Sequence, residues 1–258
     1  MTTQTQHSAL DVQLHVLSAL ILRDIRTRFG RTMWGYAIAV GWPSAHVCVL
    51  FTIMTIRHMP TPLGDSLILF VASGAVPFVT FTYSARKIME ATPSAKPLMS
   101  FPQVKYLDII LARGCVEFAS AFMSASLIFL IMAAIGTDVI PQDPMRAVLA
   151  FLTTLFFGIS TGVLCANITT FFPPFAMGFA LFTILLYAMS GVFFTPEGLP
   201  PVFYNAMLYN PMANLIMAFR SAFYSGYGAD GSLFYSFSVA MIFLLSGLAL
   251  ARFVTQRL

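Results

Sequence analysis

The residues of this chain that could act chemically lie within long apolar runs, and one group of them matches a catalytic pattern. Gly158, Ser160 and Gly162 fit G-x-S-x-G, the nucleophile elbow of serine hydrolases. That elbow needs a sharp strand-to-helix turn and a His–acid pair. This serine lies midway along an apolar run, where Gly and Ser commonly pack helices together. We therefore expect helix packing here and no catalytic residue.

Motifs that would bind a nucleotide or a metal are missing from the sequence. There is no G-x-x-x-x-G-K-[ST] phosphate loop and no H-E-x-x-H pair, and the four histidines are scattered. We expect the chain to bind no metal and no cofactor, so any ATP would have to be used by another chain. The basic residues fall in clusters between the apolar runs and form no continuous face, which argues against nucleic acid as a partner.

The apolar runs contain aromatic rings, hydroxyl groups and amides in place of charged side chains. Those we expect to line a path for substrate are Trp34, Tyr36, Trp42, Phe70, Phe81, Tyr83 and Tyr187. Any one of them could instead anchor the chain at a membrane interface or pack in the core. The runs contain no Lys, Arg, Asp or Glu, whereas ion-coupled transporters usually place such groups in the bilayer. As a set, the aromatic residues favour a bulky polar polymer over a small ion.

These residues are positioned by six stretches of 20 to 26 residues without a charged side chain. The stretches are 32–56, 66–85, 118–137, 147–172, 175–194 and 232–251. A helix of about 20 apolar residues crosses the ~30 Å hydrocarbon layer of a bilayer. Charged residues make up 9% of the chain, against about 25% in soluble domains. The sequence therefore predicts an all-α membrane protein with six transmembrane helices in residues 32–258.

The distribution of basic residues predicts the orientation of these spans. Of the 14 Lys and Arg residues, 11 lie in the N-terminal segment, in the loop 86–117 or at the C-terminus. Basic residues concentrate on the cytoplasmic side of membrane proteins. We therefore expect both termini in the cytoplasm, which an even number of spans also requires.

Residues 1–31 form a predicted cytoplasmic segment with an amphipathic helix over Leu10–Arg28. Its apolar residues recur at steps of three and four, at Leu10, Leu14, Leu17, Ile21 and Ile25. Such a helix is expected to lie along the membrane surface, where its arginines would meet lipid phosphates or a partner subunit. The alternative is a solvated helix packed on the spans.

Two further segments are larger than simple connections. The loop 86–117 begins with charged residues interrupted by prolines, and its second part, Val104–Glu117, looks helical. Since most loops have about 4–6 residues, we interpret it as a docking surface for a cytoplasmic partner. Residues 195–231 hold two short apolar runs hinged at Asn210-Pro211. Neither run can cross a bilayer alone, so the segment predicts a re-entrant or interfacial hairpin on the outer side.

The order of these features resembles a known family. It combines the basic run 22–32 with Trp34-Gly35-Tyr36, Pro43 in the first span, and the outer motifs Pro196-Glu197-Gly198-Leu199-Pro200 and Tyr209-Asn210-Pro211-Met212. This pattern resembles the membrane (permease) subunits of ATP-binding-cassette exporters for capsular polysaccharide and O-antigen, over almost the whole chain. The compact size and the short turn at Pro173-Pro174 look most like the capsule-export branch.

The resemblance implies a function and a set of partners. Such subunits work as homodimers in the bacterial inner membrane, each paired with a cytoplasmic ATPase that binds ATP and Mg²⁺. They move a lipid-linked polysaccharide outward to a periplasmic adaptor and an outer-membrane exporter. Related permeases for lipo-oligosaccharides, lipids or drug-like molecules share this architecture. An ATP-independent carrier and an enzyme using Ser160 are further alternatives.

The resemblance also implies roles for particular residues. The anionic lipid end of the substrate would approach Arg23, Arg26, Arg28 and Arg31. The loop touching the ATPase would include Arg86, Lys87, Glu90 and Lys96. The outer gate hairpin would include Glu197, Tyr209, Asn210 and Arg220.

Overall fold

The computed structural model describes residues 9–30, 33–227 and 231–255, and the regular structure in these ranges is helical. The α-helices are α1 (Ala9–Phe29), α2 (Met33–Ile56), α3 (Leu67–Ala95), α4 (Tyr106–Ala134), α5 (Pro144–Phe171), α6 (Phe175–Met189), α7 (Pro201–Leu208), α8 (Pro211–Ser221) and α9 (Leu233–Thr255). Short 3-10 helices cover Lys96–Ser100 and Pro196–Gly198. The all-helical part of the sequence prediction is therefore confirmed.

Most of each predicted apolar run lies in a helix, but the helices differ in length, and α6 ends at Met189, five residues before the run 175–194 ends. Within the described residues, four segments are long and apolar enough to cross a membrane: Leu67–Ala91, Tyr106–Ala134, Pro144–Phe171 and Leu233–Phe253. The apolar parts of α2 and α6, Val40–Ile56 and Phe175–Met189, are shorter. The 15 residues of α6 extend only about 22 Å, less than the ~30 Å of hydrocarbon in a bilayer.

Helix contacts define two ends of the molecule. At one end, Leu20 of α1 packs with Ala91 of α3 and with Ile109 and Ala112 of α4. An ion pair between Asp24 and Arg113 reinforces this contact. We call this the α1 end. At the opposite end of α3, its first turns pack against α8, and we call this the α8 end. The 29 residues of α3 separate the two ends by about 43 Å.

The contact surface of α1 overlaps the predicted apolar stripe in part. Leu17 and Ile21 of the stripe pack on α3 and α4 together with Val16 and Leu20, whereas Leu14 is exposed. Gln13 and Asp24 also point towards α4 and bond to Asp108 and Arg113, so the packing face extends to one side of the stripe.

The predicted loop 86–117 is mostly helical. α3 continues to Ala95 with Pro93 inside it, so this proline does not end the helix. α4 begins at Tyr106, twelve residues before the predicted span, which confirms that Val104–Glu117 is largely helical. This extension also brings Asp108 and Glu117, both 2% exposed, inside a span candidate. Both acids precede the uncharged run 118–137 from which the span was predicted.

The core forms where α5 packs between α3 and α9. A Cβ on Gly158 would lie 2.9 Å from the Phe81 carbonyl oxygen, and one on Gly162 would lie 2.6 Å from that of Ala85. These glycines therefore let α5 approach α3 closely. Ser160 is fully buried between them, and the helix is continuous from Pro144 to Phe171. This continuous helix has no strand-to-helix turn of the kind that a nucleophile elbow requires. The G-x-S-x-G motif therefore serves helix packing.

A buried amide joins three helices at the α1 end. Tyr106 of α4 donates a hydrogen bond to Asn167 Oδ1 of α5 over 3.0 Å. The Asn167 Nδ2 donates to the carbonyl oxygens of Val163 and, in α9, Gly247. A buried polar group is stable when its hydrogen bonds are satisfied in this way, and this one fixes the relative positions of α4, α5 and α9.

Candidate substrate cavity

Helices α2, α3 and α6 surround a cavity of about 470 Å³, which we call the aromatic cavity. It is lined by Trp42 and His46 of α2, by Phe78, Val79, Thr82, Tyr83, Arg86 and Lys87 of α3, and by Thr183, Ile184 and Tyr187 of α6. Its volume lies in the range of ligand sites in proteins, about 300–1,000 Å³. The lining combines aromatic rings and hydroxyl groups with two cations, which is unusual among apolar helices.

The aromatic wall is held together by contacts around Tyr187. Its hydroxyl group lies 2.9 Å from His46 Nε2, within hydrogen-bond distance. Its ring centroid lies 4.5 Å from that of Phe78 and 5.1 Å from that of Phe193. Aromatic pairs at these separations stabilise one another beyond simple burial. Tyr187 therefore links α2, α3 and the segment after α6, and it presents a fixed surface to the cavity.

The cationic side of the aromatic cavity consists of Arg86 and Lys87, near the end of α3 that faces α1. Arg86 Nε donates to Glu90 Oε1 over 3.1 Å, and Lys87 Nζ donates to Glu90 Oε2 over 3.0 Å. One carboxylate therefore faces two cations, so the cluster carries a net positive charge. The Arg86 side chain is 66% exposed, and exposed ion pairs of this kind contribute little stability. The two cations can therefore turn towards an anionic ligand.

This lining suits an amphiphilic anion that carries ring-shaped polar groups. Arg and Lys donate charge-assisted hydrogen bonds to phosphate or carboxylate oxygens. Aromatic faces can stack on flat or ring-shaped groups, while Thr82 and the hydroxyl of Tyr83 can bond polar atoms. Thr82 Oγ1 is buried and has no hydrogen-bond partner among the described residues. An unsatisfied buried hydroxyl on a cavity wall is a further polar group available to a ligand.

The predicted path residues fall into three groups. Trp42, Tyr83 and Tyr187 line the aromatic cavity. Phe70 and Phe81 are 0% and 1% exposed and belong to the core, so they lie away from the cavity. Phe81 stacks on Phe157 at 5.0 Å, which explains its burial. Trp34 is 76% exposed on the first turn of α2, and the Tyr36 side chain lies outside the described residues.

The predicted arginines of the N-terminal segment are only partly described. Arg23 and Arg26 are exposed on α1. The side chain of Arg28 and all of Arg31 lie outside the described residues. Of the predicted ATPase-coupling residues, Arg86, Lys87 and Glu90 form the cationic side of the aromatic cavity, so they are also close to the predicted path. Lys96 begins a 3-10 helix, and its side chain is outside the described set.

The predicted outer hairpin contains two short helices that differ sharply in burial. In α7 and the residues beside it, Glu197 and Tyr209 are exposed. In α8, by contrast, Met212–Arg220 is buried throughout. Asn210 caps α8 by accepting a hydrogen bond from the Met212 amide, a common way to satisfy a helix N-terminus. The hinge at Asn210-Pro211 is thus observed as predicted.

Arg220 belongs to the predicted outer hairpin but is buried. It is 0% exposed, with its guanidinium carbon 4.2 Å from the centroid of the Phe70 ring. Burial lowers the pKa of this guanidinium, although an arginine remains protonated in proteins. His46 is one of the cavity residues to which sequence reasoning assigned no role. Its position in the first span, four residues after Trp42, was the available signal.

Similarity to known proteins extends over most of this chain. No protein-family model matches the chain. A polysialic acid transport protein, KpsM of Escherichia coli, is 28% identical over 247 residues, which is 95% of each chain. The capsule polysaccharide export inner-membrane protein CtrC of Neisseria meningitidis serogroup B is 26% identical over 246 residues, 94% of this chain and 92% of its own.

A third relative extends the pattern to another bacterium. The capsule polysaccharide export inner-membrane protein BexB of Haemophilus influenzae is 24% identical over 222 residues, 85% of this chain and 83% of its own. These similarities run along most of each chain. The resemblance drawn from the sequence is confirmed: the chain is a homologue of capsule polysaccharide export inner-membrane proteins.

Proposed function

We propose that this chain is the transmembrane subunit of an ATP-driven exporter that moves lipid-linked capsular polysaccharide from the cytoplasm to the periplasm. The observation that carries the proposal is similarity over 95% of both chains to a polysialic acid transport protein, together with the capsule-export relatives. In this proposal, a homodimer forms the path, and a separate cytoplasmic subunit binds and hydrolyses ATP. A periplasmic adaptor and an outer-membrane exporter receive the polymer.

The proposed topology has six spans with both termini in the cytoplasm. α1 contacts the end of α3 and the start of α4, so α2 has to run from the α1 end to the start of α3 at the other end. Similarly, the residues after α6 contact Arg220 at the α8 end, while α5 ends near Asn167 at the α1 end. These contacts support α2 and α6 as crossings despite their shorter apolar parts. The outer helix pair α7–α8 would then be a re-entrant or interfacial hairpin.

The aromatic cavity gives the proposed substrate a place to bind. A charged glycan cannot enter hydrocarbon unaided, because one charge at the bilayer centre costs about 2.5 kcal/mol or more. Arg86 and Lys87 would meet the anionic lipid end, and each cation near a membrane surface contributes about 1 kcal/mol towards an anion. Trp42, Tyr83 and Tyr187 would contact the sugar rings. The sequence has no phosphate loop, so the energy for transport would come from the ATPase subunit.

Reconstitution tests this proposal directly. The chain is first purified from native membranes to identify the ATPase that accompanies it. Both are then placed in lipid vesicles that carry lipid-linked capsular polysaccharide. Export is measured as the amount of polysaccharide that a polysaccharide-cleaving enzyme, added on one side of the membrane, can digest. We expect transport only when both subunits and ATP are present. Transport by the chain alone, or failure to associate with any ATPase, would refute the proposal.

A further inference from the structure

Arg220 is a buried cation whose hydrogen bonds reach two separate parts of the chain. Its Nη1 donates hydrogen bonds to the carbonyl oxygens of Gly191 at 3.0 Å and Phe194 at 3.3 Å. Its Nη2 donates to the Val192 carbonyl oxygen at 3.3 Å, and its Nε to Ser73 Oγ at 3.4 Å. One side chain of α8 thus holds both the segment that follows α6 and the first turns of α3.

The acceptors explain why an arginine is suited to this position. Gly191, Val192 and Phe194 directly follow the end of α6 at Met189, where backbone carbonyl groups no longer have helical partners. A planar guanidinium offers five donors in a fixed fork, which can reach several carbonyl groups at once. A lysine ammonium is a single point charge on a flexible stem and cannot satisfy this arrangement equally well. The guanidinium therefore fixes the path of the chain as it leaves α6.

Gly74 of α3 leaves room for the Arg220 guanidinium because it has no side chain. A Cβ built on Gly74 of α3 would lie 2.6 Å from Arg220 Nη2 and 2.9 Å from the Val192 carbonyl oxygen. Both separations are too short for real atoms, so any larger residue at position 74 has to displace the guanidinium, the carbonyl group or both. Gly74 is therefore part of the same contact, although it makes no hydrogen bond there itself.

α6 connects this contact to the aromatic cavity. Tyr187, which lines the cavity, lies one helical turn before Gly191, and Thr183 lies one turn further back. A second connection lies beside the first: Asn210 Nδ2 donates to Ser190 Oγ over 3.1 Å. The outer helix pair α7–α8 therefore contacts the end of α6 at two points, through Asn210 before α8 and through Arg220 near the end of α8.

We propose that Arg220 is a positioning residue that fixes the α6 wall of the aromatic cavity to the outer helix pair, so that the cavity wall and the outer helices move together. Binding in the cavity would then bias the position of α7 and α8, and movement of α7 and α8 would open or narrow the cavity. The relevance of this coupling to export rests on the proposed function, but the coupling itself does not.

Thiol labelling of the cavity wall tests this coupling. Cys48 and Cys115, the two exposed cysteines, are replaced with Ala, while Cys165 is kept as a buried internal reporter. Thr183→Cys adds a buried cavity-wall reporter. In lipid nanodiscs, Gly74→Ala should raise the labelling rate at position 183 about tenfold or more, because disturbing hydrogen bonds to a charged group favours local opening. The rate at Cys165 should stay unchanged.

Two further variants sharpen the result. Gly178→Ala is a matched control in α6, because a Cβ there meets nothing within 4 Å, and it should leave both labelling rates unchanged. Arg220→Lys should raise the rate at position 183 but not at Cys165. An unchanged rate at position 183 in both Gly74→Ala and Arg220→Lys overturns the proposal. An equal rise at Cys165 also overturns it, since the contact would then only support general stability.

This assay separates the coupling from the proposed function. Labelling requires neither ATP nor polysaccharide, so the coupling can hold in a chain that exports nothing. Conversely, export can be demonstrated while Gly74→Ala leaves the cavity wall unaffected. In the first case the proposed function fails, and in the second the role assigned to Arg220 fails.

Discussion

Replacing Gly162 with Ala should destabilise the protein, because the added methyl group has no room between α5 and α3. Its Cβ would lie 2.6 Å from the Ala85 carbonyl oxygen and 2.6 Å from Ile88 Cβ. Carbon atoms in contact normally stay about 3.5–4.0 Å apart, so the helices would have to separate by roughly 1 Å. Overpacking of this kind typically costs about 1–3 kcal/mol.

Thermal unfolding of the purified protein in detergent measures this effect. For a chain of this size, 1 kcal/mol corresponds to a shift in melting temperature of about 2–4 °C. We therefore expect Gly162→Ala to melt about 2–12 °C below the unmodified chain. Gly178→Ala is the matched control, because it makes the same chemical change in an uncrowded helical position. It should leave the melting temperature unchanged or raise it slightly, since Ala favours a helix over Gly.

Ser160→Ala completes this test, because it separates packing from catalysis. The Ser160 hydroxyl is buried without a hydrogen-bond partner among the described residues, so removing it should not lower the melting temperature. Export should also continue. The packing interpretation would be refuted if Gly162→Ala melted like the unmodified chain. It would equally be refuted if Ser160→Ala abolished export while the melting temperature stayed the same.

Two further predictions concern the aromatic cavity and the topology. In the double variant Arg86→Gln, Lys87→Gln, the concentration of lipid-linked polysaccharide needed for half-maximal ATPase stimulation should rise about 30-fold, because two cations contribute roughly 2 kcal/mol towards an anion. An unchanged concentration would show that these residues do not bind substrate. Glu197→Cys in a cysteine-free background should react with a membrane-impermeant thiol reagent from the periplasmic side in intact cells, and reaction only after lysis would contradict the proposed topology.

Much of the helical framework could be predicted because it depends on local composition. Runs without charge have to be helical in a bilayer, since their backbone groups can find hydrogen-bond partners only within the helix. Most of each run accordingly lies in one of six helices, and the hinge at Asn210-Pro211 follows from the fixed geometry of proline. The helix boundaries were less predictable. α4 extends over Asp108 and Glu117 because contacts with neighbouring helices accommodate charged residues that a search for uncharged runs excludes.

The candidate site could be predicted only in part, for a similar reason. Trp42, Tyr83 and Tyr187 were expected on a substrate path, and they do line one cavity. Phe70 and Phe81 have the same chemistry and also lie in α3, yet they point into the core. Position along one helix does not reveal which of its faces meets another helix, so aromatic residue type alone could not separate the two groups.

The sequence by itself determined that this chain is helical, apolar enough for a membrane and related in pattern to capsule exporters, because these properties follow from composition, spacing and motif order. Tertiary structure alone decided that Arg220 lies in the interior and that His46 faces Tyr187. It also decided that Arg86 and Lys87 border an aromatic cavity. The physical reason is that burial and pairing of side chains depend on helices distant in sequence, whose relative rotation is set by close contacts such as those at Gly74 and Gly162.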